Sequence, residues 1–309
     1  MDNIPKWYDH YTVEKNRTIL TETHLGIPGL RMFGHHISYN ATESLSWHYH
    51  ENAFEFSFPS KGTFSFSTVE KNYPFSGGEI FISRPNEVHG TNETPITVGE
   101  LYWFQLDTSR DKDFLFLNTQ AAQDLIGKLN HLSHHVVKTD AKKMLPLLEK
   151  AFSLAPHMEN KYFTAALLQM FLHLILFYSQ KEPISLSGDI QAALNFVQKH
   201  ITAALTLEEL ACIAGLSCSQ FKQKFKKQLG IAPRHYINQK KIEYAKKLLA
   251  EGKSVTETAM ILNFTTSNYF SSVFKKYTRY TPTEYLYSRK RKSNASGNCS
   301  SGCEYRRLQ

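Results

Sequence analysis

Cysteine is scarce in this chain, with four in 309 residues at 212, 218, 299 and 303. They are too few and too unevenly placed for a disulfide framework, so a reducing cytoplasmic setting is the expectation. Long apolar stretches are missing as well. The longest, Ala165 to Tyr178, spans 14 residues and is interrupted by Gln169 and His173. A membrane-crossing helix needs roughly 20, so no membrane partner is expected. The opening Met1-Asp2-Asn3-Ile4-Pro5-Lys6-Trp7 has neither the basic start nor the apolar centre of a secretion signal. What remains is an ordinary folded composition, 41% hydrophobic and 21% charged, long enough for two domains with cores of their own.

Acidic residues thin out along the chain. Residues 1–185 carry 16 Lys/Arg against 20 Asp/Glu, whereas 186–309 carry 20 against 8. Only the second part is therefore expected to face a polyanion. Up to about Asp107 the pattern is strand-like. Phe54-Glu55-Phe56-Ser57-Phe58 and Thr63-Phe64-Ser65-Phe66-Ser67 alternate with period two, and Glu79–Ser83 and Val98–Phe104 add β-rich segments. Pro59-Ser60-Lys61-Gly62, Gly77-Gly78 and Arg84-Pro85-Asn86 read as turns between them, predicting a sandwich or small barrel. From about Thr119 the period becomes helical, with helices around Leu125–Leu129, Met144–Phe152 and Tyr162–Tyr178; the last is apolar on nearly every side. The expected division is 1–115 barrel, 116–180 helical linker or association segment, 186–287 helical repeat domain and 288–309 a basic, disordered tail. Cys299-xxx-Cys303 in that tail lacks the second pair that a metal site would need.

Residues 206–285 read as one helix-turn-helix written twice. Phe221, Phe225, Lys226-Lys227, Pro233 and Tyr236 recur as Phe270, Phe274, Lys275-Lys276, Pro282 and Tyr285 at a constant offset of 49 residues. In the first copy Leu207, Leu210, Ala211 and Ala214 give a short amphipathic helix, Gly215 permits the turn and Ser217 caps the next helix. Phe221, Phe225 and Leu229 point to the core, and Ser219, Lys222, Gln223 and Lys226 form the opposite stripe. Gln pairs bidentately with adenine and Lys with guanine. In the second copy Val255, Ala259 and Leu262 support, and Phe270, Phe274 and Tyr277 fill the core. Ser267, Asn268, Ser271, Ser272 and Lys275 face outward, a set expected to discriminate bases less. Lys224, Lys226, Lys227 and Lys276 are expected at phosphates. One such lysine-rich face is most simply solvated surface; two in register on a basic domain point to double-stranded DNA.

The pattern Ala211-xxx-Gly215-Leu216-Ser217 followed by Phe221-xxx-Phe225-Lys226-Lys227-xx-Gly230-xx-Pro233-xx-Tyr236 resembles the AraC/XylS family of bacterial transcription regulators, as does its second copy through Tyr285. The chain departs from that family at Asn263 and Arg279, where glycine is usual; Asn tolerates positive φ, while the helix end at Arg279 is less defined. The resemblance implies a long helix joining the units, fitted by Ile242, Ala245, Leu248 and Leu249, and RNA polymerase as a partner. Two recognition helices in successive major-groove segments are also implied.

The strand-rich part carries His48, His50, Glu55 and Gly62 in the spacing His-x-His-x4-Glu-x6-Gly, which resembles the first motif of cupin barrels. Gly78, Pro85 and His89 resemble the second, with Glu87 where a glycine is usual. The overall fold class implied is α+β multidomain: a cupin-like β-barrel or jelly-roll, a helical segment and an all-α double helix-turn-helix. His48, His50, Glu55 and His89 are nominated to line an effector pocket for a small polar molecule, a sugar by family habit. The alternatives are a metal site of the same four residues or histidines that are only structural. Trp47, Tyr49, Phe56, Phe66, Phe81 and Trp103 are expected mostly in the core. The pairs His35-His36 and His134-His135 are expected at the surface or in loops. Cys212 is expected in the core and Cys218 at an ordinary small polar position. The combined expectation is a non-enzymatic, effector-controlled regulator, more often an activator in this family. The 141–152 and 162–178 helices are candidates for a homodimer contact. A metal-dependent cupin enzyme with a DNA-binding tail and an effector-independent DNA binder are the competing readings.

Overall fold

The computed structural model describes residues 4–181 and 186–288; the expected disordered tail, with Cys299 and Cys303, lies outside the described residues. The first part builds a sheet from β1 (Thr12–Glu14), β2 (Arg17–Thr21), β3 (Leu30–Ser38), β4 (Ala53–Thr68), β5 (Asn72–Ser76), β6 (Glu79–Ser83), β7 (His89–Gly90), β8 (Gly99–Asp107) and β9 (Val136–Lys138). A single turn of helix, α1 (Glu22–Leu25), lies between β2 and β3. The strands run in the order β1-β2-β3-β8-β4-β6-β9, with β5 and β7 also on β4, and their ladders are antiparallel.

Alternation decides what each face does. Phe54, Phe56, Phe58, Tyr102 and Phe104 enter one core, while Phe64, Phe66, Phe75, Phe81, Leu101 and Trp103 enter another. The second cluster also takes Ile19 and Met32, so residues of six strands meet on one side of the sheet. Pro59-Ser60-Lys61-Gly62, expected as a turn, instead lies inside the single 16-residue strand β4. The register against β8 shifts between Pro59 and Lys61. A bulge accommodates proline, which cannot donate to the ladder. It also marks where β4 passes from β6 to β5 and β7 as a partner.

The second face of the sheet is covered by α2 (Thr119–Asn130), α3 (Ala141–Leu154) and α4 (Lys161–Ser179), which share its core through Leu125, Leu148, Phe171 and Ile175. The segment expected as a helical linker also contains β9, whose Val136 to Lys138 pair with β6. The helices are thus built into the sheet domain. Met158–Ser179 is long and apolar enough to cross a membrane by length and composition. Burial of Leu168, Phe171, Leu172 and Ile175 against the sheet accounts for much of that apolarity. Phe163, Met170 and Phe177, seven residues apart, stay exposed.

The second part comprises α5 (Gly188–Lys199), α6 (Leu207–Ile213), α7 (Cys218–Leu229), α8 (Pro233–Ala250), α9 (Val255–Ile261) and α10 (Ser267–Thr278). Two separate cores form, one around Phe221 and Phe225, the other around Phe270 and Phe274. The helix α8 lends Ile237 to the first and Ile242, Ala245, Leu248 and Leu249 to the second, as a joining helix should. Cys212, expected in the core, is exposed. Leu207, Leu210 and Ala211 already fill the inward stripe of α6, leaving position 212 on the outer side.

Candidate functional site

The two helix pairs are closed by repeated local chemistry. Thr206 caps α6 by accepting from the Glu209 amide, and Ser254 caps α9 by accepting from the Glu257 amide. Ser217 and Gln220 form a capping box at α7, and Thr266 accepts from the Tyr269 amide at α10. Each such cap contributes about 1 kcal/mol. The turn residue of the first unit, Gly215, has φ +63°, and Asn263 takes the matching place in the second at φ +50°. Asn263 Nδ2 also donates to the Thr202 carbonyl, which helps offset the steric cost. Gly230 ends α7 at φ +68°, and Arg279 ends α10 at φ +73°. Asn263 and Arg279 therefore both adopt the left-handed conformation that favours glycine.

On α7 the outward stripe Ser219, Lys222, Gln223 and Lys226 is exposed. On α10 Asn268, Ser272 and Lys275 are exposed, whereas Ser267 and Ser271 are half-buried. The Ser272 hydroxyl donates to the Asn268 carbonyl at 3.0 Å, so its proton is already engaged. Lys224, expected at a phosphate, is bound instead to Asp189 of α5, and that bond comes first among the causes that hold the Asp189 carboxyl down at about 2. Two further residues emerge only in three dimensions. Tyr269 stands half-exposed at the head of α10, one position from buried Phe270. Lys241, whose ammonium burial disfavours, donates to the Leu262 carbonyl at 2.6 Å and ties α8 to the end of α9.

The sheet domain touches the ends of both outward helices. The Ala41 amide donates to the Lys276 carbonyl at 2.8 Å, and Glu43 pairs with Arg279. Gln223, Lys226 and Lys227 line a cavity of about 560 Å³ whose other wall belongs to β4 and α3.

Within the sheet domain, His48, His50, Glu55 and His89 do come together. The 48–50 segment bridges β7 through mutual amide bonds of His48 and His89, each 2.9 Å. The rings stand 4.4 Å (His48–His89), 5.0 Å (His48–His50) and 5.1 Å (His50–His89) apart. One nitrogen from each lies within 4.8 Å of the others. All four residues are buried. His48 Nδ1 faces the Ser46 carbonyl at 2.7 Å and His89 Nδ1 the Glu87 carbonyl at 3.0 Å. A carbonyl only accepts, so both Nδ1 atoms carry protons and both Nε2 atoms keep their lone pairs. Among the described residues, His89 Nε2 is buried with no hydrogen-bond partner. Burial pushes the His48 imidazole down to about 4 and also lowers His89, which keeps both neutral. Burial acts to raise the Glu55 carboxyl, but the charge and hydrogen bond of His50, 3.0 Å away, hold it well below the usual carboxylate range. Gln105, a fully buried residue that the sequence pattern did not single out, donates from Nε2 to Glu55 at 3.0 Å. Its only signal was a lone amide in the run Trp103-Phe104-Gln105-Leu106.

The other aromatic and histidine expectations divide by alternation. Phe56, Phe66, Phe81 and Trp103 are buried, while Trp47 and Tyr49 are half-buried because His48 and His50 take the inward positions. His35 lies in β3, bonded to Glu100 at 2.9 Å and stacked on Tyr102. His135 bonds Glu87 at 2.7 Å and packs on Tyr73. Neither is a freely solvated side chain.

Among known proteins, a family model described as helix-turn-helix domain matches residues 210–288. The probable transcriptional regulator LumQ of Photobacterium leiognathi is 33% identical over 94 residues, 30% of this chain and 38% of LumQ. An uncharacterized helix-turn-helix-type transcriptional regulator, SACOL0084 of Staphylococcus aureus, is 23% identical over 256 residues, 79% of this chain and 33% of its own length. The chain thus spans little more than a third of the length of these relatives. Two solved structures are similar. The C-terminal domain of the two-component response regulator yesN from Fusobacterium nucleatum shares 33% identity, covering 32% of this chain and 99% of that one, with TM-score 0.31. Fatty acid-bound ToxT from Vibrio cholerae shares 13%, covering 89% and 96%, with TM-score 0.33. Residues 210–288 are a helix-turn-helix domain.

Proposed function

We propose that this chain is an AraC-type, sequence-specific DNA-binding transcription regulator governed by a cupin-type sensor domain. The supporting observation is the pair α7 and α10: capped alike, ended alike, and set in the part of the chain where 20 Lys/Arg meet 8 Asp/Glu. In this reading Gln223 pairs with adenine, Lys222 and Lys226 with guanine or phosphate, and Ser219 supports them. The second helix contributes Asn268 and Lys275, with Ser267, Ser271 and Ser272 touching backbone more than bases, so it discriminates less. The test is a gel-shift series on single-base variants of a duplex obtained by selection from a randomised pool. Gln223→Ala should relax preference at one base pair by about 1–3 kcal/mol, and Lys226→Ala should weaken all duplexes alike. Equal losses for Gln223→Ala across the series remove it as a base reader, and a selection that yields no preferred duplex removes the whole reading.

The control input enters at His48, His50, Glu55 and His89. A small polar effector, a sugar by family habit, is one occupant. The packing favours a second, a transition-metal ion. Three imidazoles converging within 4.8 Å, with the buried His89 Nε2 lacking a partner among the described residues, fit such a donor set. His48, His50 and His89 would hold the ion and Glu55 would orient His50; the bound charge would fasten the 48–50 segment to β7. Metal analysis and thermal shift separate the two. A sugar at 100 times its dissociation constant adds about 2.7 kcal/mol of apparent stability, whereas a metal appears at one per chain and is lost in His89→Ala. The chain acts in the cytoplasm without catalytic turnover, as an activator that contacts RNA polymerase. The exposed Phe163, Met170 and Phe177 of α4 meet a second copy; sedimentation of Met170→Glu as a monomer, against a wild-type dimer, is the expected outcome.

A further inference from the structure

The two helix-turn-helix units are joined by more than the helix that runs between them. Helix α8 lends Ile237 to one core and Leu248 and Leu249 to the other, and Tyr244 packs against both. An 18-residue helix on its own can bend between the two cores, and each unit then follows its own end. A second link opposes that bending. Lys241 on α8 donates from Nζ to the Leu262 carbonyl at 2.6 Å, and the next residue, Asn263, donates from Nδ2 to the Thr202 carbonyl. Thr202 lies between α5 and α6, so the turn before α10 is tied directly to the first unit, 61 positions back. The matching turn of the first unit reaches nothing: a Cβ on Gly215 would meet no atom within 4 Å among the described residues. The sheet domain holds the opposite end of α10, at Lys276 and Arg279.

We propose that Asn263 is a positioning residue for DNA recognition: its bond to Thr202 locks the head of α10 to the first unit and so fixes the spacing between the two stretches of duplex that the chain reads. The spacing rests on the DNA-binding reading; the lock itself does not. The N-terminal residues of a recognition helix meet the base edges, and Asn263 stands just before Ser267, the first residue of α10. One added base pair moves the second stretch about 3.4 Å along the duplex and about 35° around it. A hinged pair of units follows that shift by bending α8, whereas a locked pair forfeits the contacts of one unit. Asparagine suits both tasks, because it tolerates the φ of +50° that the turn takes and still carries a donor.

The test takes the full chain and a duplex selected from a randomised pool. One base pair is inserted or deleted between the segments that single-base scanning assigns to α7 and α10. Wild type should lose about a hundredfold in affinity on either change, since one unit gives up its specific contacts. Asn263→Gly keeps the backbone conformation without the side chain, and Asn263→Asp keeps the shape but has no N–H to donate. Both should bind the parent duplex within about threefold of wild type and shrink the spacing penalty about threefold to tenfold, the scale of one hydrogen bond. A penalty equal in wild type and both variants overturns the proposal. So does a uniform loss on every duplex, which simple destabilisation would produce, and so does a wild type indifferent to spacing. A second arm needs no DNA. Residual dipolar couplings of the α7 and α10 amides should fit one common alignment in wild type and two in Asn263→Gly; one common alignment in both overturns the lock. A pool that yields no preferred duplex, with couplings that diverge in the variant, sinks the DNA-binding reading and the spacing claim, and leaves the lock standing.

Discussion

The effect of Arg279→Gly on the stability of the second helix-turn-helix unit should depend on a residue 236 positions away. Arg279 ends α10 at φ +73°, a conformation that costs a residue with a Cβ roughly 1–2 kcal/mol. Glycine avoids the clash but loses about 0.4–1 kcal/mol because its unfolded chain is freer. The arginine also pairs with Glu43 of the sheet domain, and with side chains 41% and 78% exposed the bridge contributes only about 0–1 kcal/mol. In the wild-type background these contributions nearly cancel. With Glu43→Gln already in place, a gain of about 0.5–1 kcal/mol should remain, which is about 2–8 °C for a unit of this size. Thermal melting of the four proteins in the double-mutant cycle supplies the total, and hydrogen exchange of the Lys275 to Thr278 amides localises it. A loss of stability for Arg279→Gly in the Glu43→Gln background would refute the assignment of strain to this helix end. Identical shifts in both backgrounds would refute the interdomain bridge.

Phe270→Ala, which empties a fully buried site between Phe264 and Phe274, should cost about 3–5 kcal/mol in urea unfolding of the second unit; a loss under about 1 kcal/mol would contradict its core role. Ser217→Ala and Ser254→Ala should each cost about 1 kcal/mol by the same measurement, since each removes a capping box. The Asp189 carboxyl, held at about 2 by Lys224, titrates below its unfolded value near 4. Its contribution is therefore complete above about pH 4 and lost as pH falls through about 2, so the urea midpoint of wild type should drop over that window more steeply than that of Asp189→Asn.

What the sequence made legible is what local chemistry decides. The period of Phe221 and Phe225, repeated at Phe270 and Phe274, sets two helices facing two cores. Ser217 as a cap and Asn263 at positive φ follow from short-range hydrogen bonding and sterics. The histidine spacing was legible as a cluster because alternation puts His48 and His50 on one side of an extended segment. Long-range pairing was not. Whether Pro59 ends a strand or bulges it depends on β8, some forty residues further along. Lys224 meets Asp189 across two helices, and β9 acquires strand identity only by lying beside β6. Gln105 joins the histidines only because β8 pairs with β4 at that register.

The unbroken run of β4 has a spatial consequence. Glu55 sits in the histidine cluster, and Phe58 and Pro59 line the interdomain cavity. Those points are three and four residues apart on one extended backbone, about 10–13 Å at a rise of roughly 3.3 Å per residue. The histidine cluster and the interdomain cavity therefore share one continuous strand as part of their walls.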